Sequence, residues 1–169
     1  LLNFDYSFGG SFWVKGIRFT ASAGGTDYAT ANCYAPVYFE DCDFGPATGG
    51  SITRFVVSSQ HSKVFIQYSV QSAVLITGGC DQGFVCFSGY LAFPANASIA
   101  LSNTPAFTYF ARGAYSHQIN LVTPTVTGTG TGTALRSETL GTINTSSGTA
   151  TWTTAGFTAT STIDGGIVI

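Results

Sequence analysis

Methionine is missing altogether from these 169 residues, and charge is scarce: six Lys and Arg, eight Asp and Glu, two His. Six cations spread singly along the chain cannot neutralise a row of phosphates, so no nucleic-acid partner is expected. Charged residues make up 8% of the chain, against about 25% in an average domain. With 44% hydrophobic residues and a net charge of −2, this composition excludes a disordered chain, which pairs low hydrophobicity with high net charge. No run of about 18 apolar residues occurs, so no membrane insertion is expected. A basic-then-apolar leader is also missing. The chain opens at Leu1 in a strand-like segment and stops in another at Ile167-Val168-Ile169, which leads us to expect a piece of a longer polypeptide.

Cysteine is sparse too, with Cys33, Cys42, Cys80 and Cys86. Their spacings fit no zinc or redox signature. Neither Cys nor His falls at ligand spacing, so no metal and no cofactor are expected. Buried free thiols are the expectation, Cys42 alternating with Phe44 toward a core. Were the protein oxidised, Cys80 and Cys86 would be the nearest pair.

What is present reads as strand. Apolar residues come in short runs or at alternate positions, as in Val64-Phe65-Ile66, Ala73-Val74-Leu75-Ile76 and Phe84-Val85-Cys86-Phe87. Clusters such as Gly24-Gly25, Gly49-Gly50-Ser51 and Pro94-Ala95-Asn96 punctuate them, and no helical period appears.

An apolar-x-apolar motif recurs in Gly16-Ile17-Arg18-Phe19-Thr20, Asp41-Cys42-Asp43-Phe44-Gly45, Gln67-Tyr68-Ser69-Val70-Gln71 and Tyr90-Leu91-Ala92-Phe93-Pro94. Phe19, Phe44, Val70 and Phe93 then mark successive turns of a solenoid, about 25 residues each. An all-β, right-handed parallel β-helix is therefore expected, with those four side chains in one internal stack. A fifth copy, Thr123-Pro124-Thr125-Val126, requires an insertion between Asn103 and Tyr115. The register sets Arg18 beside Asp43 and Lys15 beside Glu40, opposite charges in both cases. The uncharged stretch from Gln82 to Ala111 is expected to be buried.

From Thr123 the composition changes, with 16 Thr among the last 47 residues. We divide the chain into β-helix coils over 1–122 and a Thr/Gly-rich β region over 123–169. Polar strands suit it better than a linker, because Thr favours strands. Its scarce large apolar residues suggest a segment that oligomerises.

The stretches Phe110-Ala111-Arg112-Gly113-Ala114-Tyr115, Thr127-Gly128-Thr129-Gly130-Thr131 and Glu138-Thr139-Leu140-Gly141-Thr142-Ile143-Asn144-Thr145 resemble the C-terminal parts of bacteriophage tailspike and tail-fibre proteins. The resemblance rests on coil pattern and turn composition over about Trp13 to Gly148. It implies an extracellular virion component of the phage tail, a homotrimer contacting other tail proteins and binding a host surface polysaccharide. Two alternatives remain open, a polysaccharide depolymerase (hydrolase or lyase) on the same fold and a bacterial surface adhesin.

A hydrolase needs two carboxyl groups at a fixed separation. Asp41 and Asp43 are the candidates, expected two apart on the outward face of one strand. Asp81 reads as a turn acid. His61 and His117 each neighbour a Ser, but no Gly-x-Ser-x-Gly elbow accompanies them. Sugar binding needs exposed rings beside hydrogen-bonding groups, and Tyr38, Tyr90, Tyr115 and Trp152 are the candidates.

Overall fold

A computed structural model describes residues 2–5, 10–21, 27–47, 53–146, 150–158, 161–163 and 165–169. The glycine pairs Gly24-Gly25 and Gly49-Gly50 lie outside them. Five coils carry three strands each: β1 (Leu2–Asp5), β2 (Phe12–Lys15) and β3 (Arg18–Ala21) in the first; β4 (Ala29–Asn32), β5 (Val37–Glu40) and β6 (Asp43–Ala47) in the second. The third has β7 (Arg54–Ser59), β8 (Lys63–Gln67) and β9 (Val74–Ile76); the fourth β10 (Cys80–Phe87), β11 (Tyr90–Ala92) and β12 (Ser98–Leu101). The fifth has β13 (Ala106–Ala114), β14 (Gln118–Asn120) and β15 (Thr125–Thr127). A sixth opens with β16 (Thr131–Glu138) and β17 (Thr142–Asn144), then the helix α1 (Ala150–Thr154) stands where a third strand would. Strands β18 (Ser161–Ile163) and β19 (Ile167–Val168) follow.

Every strand pair is parallel, and the strands stack into three sheets. Sheet A runs β1-β4-β7-β10-β13-β16-β18, sheet B β2-β5-β8-β11-β14-β17-β19, and sheet C β3-β6-β9-β12-β15. The chain is thus the expected all-β parallel solenoid. Its interior holds columns of identical register, such as Val37, Val64, Leu91, Ile119 and Ile143 on sheet B, all fully buried. Rings form a second layer: Phe19 stacks on Phe44 at 5.5 Å and Tyr28 on Phe55 at 5.5 Å. The stretch from Gln82 to Ala111 supplies Phe84, Cys86, Leu91, Ile99, Phe107 and Phe110 to this interior, as expected.

The charge register holds. Lys15 Nζ lies 3.0 Å from Glu40 and Arg18 3.0 Å from Asp43, each pair on neighbouring coils.

The expected stack holds only for its first two members. Val70 is 91% exposed, because β8 ends at Gln67 and residues 68–73 form an outward turn. Ile76 pairs with Phe44, and Leu101 pairs with Ile76. Phe93 is buried against Phe84 at 5.0 Å, but it follows β11 of sheet B. The motif had mixed two sheets, since apolar-x-apolar recurs on each of them. For the same reason no insertion separates Asn103 from Tyr115: Ala106–Ala114 is β13, a regular member of sheet A.

The Thr-rich part continues the same coils. β15 completes the fifth, and Ala134, Leu135, Ile143, Trp152 and Phe157 belong to the common core. The few large apolar residues of this part are thus spent on the shared core of the solenoid.

Candidate functional site

Strand alternation puts residue i inside and i+1 outside, so each coil of sheet B shows one central side chain to solvent. Trp13, Tyr38 and Phe65 occupy that place in exact register. Trp13 stacks on Tyr38 at 4.3 Å and Tyr38 on Phe65 at 4.9 Å, with interplanar angles of 10° and 13°. On the next coil Ala92 stands opposite Phe65, and Tyr90 from the flanking column leans over, 5.7 Å from Phe65 and tilted by 58°. Asn120 and Asn144 continue the central column. The Asn120 amide donates to the Tyr90 hydroxyl oxygen at 2.9 Å, while Asn120 Oδ1 is buried without a partner. An outer row of Lys15, Glu40 and Gln67 runs beside the rings, joined by Lys15–Glu40 and Gln67–Glu40 hydrogen bonds.

Tyr38 and Tyr90 are therefore brought onto one face. The role expected of Tyr38 needs correction, since both its ring faces are covered by Trp13 and Phe65 and it offers solvent an edge and a hydroxyl. Tyr115 is exposed elsewhere, at the turn between β13 and β14 with φ 61° and its ring 6.2 Å from Phe87. Trp152 is fully buried, packed by α1 against Phe110 at 4.8 Å, so it cannot meet a glycan. Trp13, Phe65 and Asn120 are not among the residues that the sequence singles out, although the recurring Phe12-Trp13-Val14, Val37-Tyr38-Phe39 and Val64-Phe65-Ile66 is a usable signal for the two rings.

Asp41 and Asp43 line a cleft of about 840 Å³ at the corner between sheets B and C, together with Lys15, Arg18, Ser69 and Gln71. They do not share a strand face. Asp43 begins β6, whereas Asp41 precedes it in a left-handed turn conformation, φ 53°. The Asp41 carboxylate accepts hydrogen bonds from the backbone N–H groups of Ser69, Val70 and Gln71 and from the Ser69 hydroxyl. These donors, the Gln71 amide foremost, hold it well below the usual carboxylate range. A general acid needs the opposite, a carboxyl that keeps its proton near neutrality. Asp43 is occupied as well, by Arg18 at 3.0 Å and by the Gln71 side-chain amide at 3.0 Å.

These contacts make Asp41 the clasp of the 68–73 turn. A carboxylate whose folded pKa is depressed stabilises at pH above its unfolded value and loses that contribution as pH falls through the folded one. The protection of the Ser69, Val70 and Gln71 amides, taken as exchange relative to the unfolded chain at the same pH, should therefore hold down to about pH 4, the unfolded aspartate value, and fall only below it. In Asp41→Asn those three amides should exchange faster at every pH. Unchanged protection in the variant would show that the turn holds itself.

The cysteines carry no chemistry at this surface. All four are free, Cys33, Cys42 and Cys86 being buried. Burial raises the thiols of Cys42, Cys80 and Cys86, the last to about 11, which leaves them un-ionised and inert. Cys80 and Cys86 stand at opposite ends of β10's run from 80 to 86, about 20 Å apart at strand rise, beyond disulfide reach. Among the described residues, no group of three or more His, Cys, Asp or Glu is placed to hold a metal ion. No described helix is long and apolar enough to cross a membrane.

Comparison of the chain with family models, with curated proteins and with solved structures finds no match in any of the three.

Proposed function

We propose that this solenoid is a structural and receptor-binding part of a phage tail, of the tailspike or tail-fibre kind, and that it binds a host surface polysaccharide along the outer face of sheet B. The observation that carries the glycan part is the outward-facing row of Trp13, which is exposed, and Tyr38, Phe65 and Tyr90, which are half-buried, continued by Asn120 and Asn144. Rings beside fixed hydrogen-bonding groups suit sugars, which present apolar C–H faces and hydroxyl rims. Six coils at about 4.8 Å give the row a length of about 24 Å, enough for several sugar units. The phage setting and the three-fold assembly rest on the sequence resemblance. A depolymerase draws less support, because Asp41 is held ionised and Asp43 is spent on Arg18 and Gln71.

The test is a glycan array probed with the 169-residue chain and with Trp13→Ala and Phe65→Ala. Binding to a bacterial surface oligosaccharide, weakened about 10-fold or more by either substitution, is expected, since each removes a large contact ring. A blank array, or binding indifferent to both changes, would overturn the reading. Light scattering at micromolar concentration checks the assembly: a trimer mass is expected, and a monomer removes the three-fold part alone.

A further inference from the structure

Cations are so few that each can be accounted for. Lys15 pairs with Glu40, Arg18 with Asp43, Arg54 with Asp27 at 2.7 Å, and both Arg112 and Arg136 with Glu138 at 3.0 and 2.9 Å. The sixth, Lys63, has no acid partner and no side-chain hydrogen bond among the described residues, and it is exposed. Its position is at the start of β8, on the outward side, since Val64 next to it is fully buried. It is the register partner of Tyr90 and lies two residues from Phe65, in the middle of the aromatic row. Glu40 is the one acid in the seven strands of sheet B, and it is taken by Lys15, Gln67 and Ser69.

The Tyr90 hydroxyl adds a second donor. Its oxygen accepts from the Asn120 amide, and Asn120 Nδ2 thereby fixes the direction in which the phenolic hydrogen points away. Tyr90 is also the end of the ring row: Phe65 is its ring neighbour, and at 58° the two are not stacked face to face, unlike Tyr38. Lys63 and Tyr90 thus stand side by side on adjacent coils, their backbones about 4.8 Å apart, next to the half-buried ring of Phe65. An ammonium and a hydroxyl on neighbouring coils can each serve one oxygen of the same carboxylate, and the rings beside them suit the C–H face of the sugar that bears it.

We infer that the glycan bound on sheet B is acidic, carrying a carboxylate that Lys63 and Tyr90 receive between them. This rests on the glycan-binding reading and adds the ligand's charge class and the position of its anchor. A neutral sugar would leave Lys63 with nothing to do that any polar residue could not. An exposed ion pair is a modest interaction, worth up to about five-fold in affinity, and it weakens with salt.

The experiment is an array of bacterial surface oligosaccharides in which every uronate or sialate glycan is paired with its methyl ester, probed with the wild type, Lys63→Gln and Tyr90→Phe. The expected result is tighter binding of the free acid by about five-fold, lost in Lys63→Gln, reduced in Tyr90→Phe and erased by 0.5 M salt. The Lys63 side chain makes no hydrogen bond or ion pair among the described residues, so an unchanged melting curve is expected of its variant and shows that it is folded. Binding only to neutral glycans, or equal binding of acid and ester by the wild type, overturns this inference and leaves the glycan-binding reading standing. An acid preference that survives in Lys63→Gln also overturns it. A blank array removes both.

Discussion

Phe44→Ala should lower the unfolding free energy by about 3–5 kcal/mol, the range for truncating a fully buried phenylalanine. Phe44 is wholly inaccessible and meets rings from three coils: Phe19 at 5.5 Å below, Phe55 at 5.7 Å and Phe84 at 5.2 Å. A hole there cannot collapse, because each neighbour is itself held by a strand in register. In a solenoid the stability is roughly a sum of coil terms and nearest-neighbour interfaces, and this side chain sits in two interfaces at once. Val70→Ala is the matched control, expected within about 0.5 kcal/mol of wild type because that side chain is in solvent. Urea unfolding followed by circular dichroism measures both. If the two variants lose stability equally, the assignment of inside and outside around the third coil is wrong.

That contrast also marks how far the fold was legible. Parallel coils, their approximate length and two ion pairs were readable, because Arg18–Asp43 and Lys15–Glu40 repeat at one spacing in the two coils whose sheet B to sheet C corners are short. The third coil broke the pattern: it takes 32 residues to pass from Phe44 to its partner Ile76, and most of the excess lies in the 68–73 turn that Asp41 holds. A single motif followed at constant period steps from sheet C onto sheet B at that point, which is how Phe93 was placed in the wrong column. The site was half legible. Tyr38 and Tyr90 fall on one face because alternation locates outward side chains within a strand. Which outward side chains meet depends on coil lengths, and an aromatic residue in a short helix, such as Trp152, gives no sign in the sequence of having replaced a strand's contribution to the core.

Gly141→Ala should be the most damaging single-methyl addition on the corner between sheets A and B, costing about 1–3 kcal/mol or more by overpacking. The ring of His117, 4% exposed, lies between Gly113 and Gly141, and a Cβ at either glycine would fall inside the imidazole. Neither glycine has the positive φ that would make alanine costly for backbone reasons, so the penalty is one of space. On the coils below, the places equivalent to His117 are held by Ser62 and Gly89, through carbonyls that accept from Tyr90 and Gln118 as that of His117 does from Thr142. One large ring is thus admitted by small residues on either side. His117 Nε2 is 3.4 Å from the Ser137 hydroxyl, which donates to the Gly141 carbonyl, and Nδ1 has no partner. Burial lowers the His117 pKa to about 4, with the nearby Glu138 pulling partly the other way between Arg112 and Arg136. The folded state therefore keeps the ring neutral while the unfolded chain takes up a proton below about pH 6.5. Stability is full above that value, falls as pH drops from about 6.5 to 4, and levels off below 4 as far as this group is concerned, an amplitude of about 3 kcal/mol. His117→Gln should flatten that slope, and combined with Gly141→Ala it should restore at least about 1 kcal/mol relative to the sum of the single changes. Additive losses in the double variant, together with an unaltered pH slope, would mean that the imidazole is not what fills the space between these glycines.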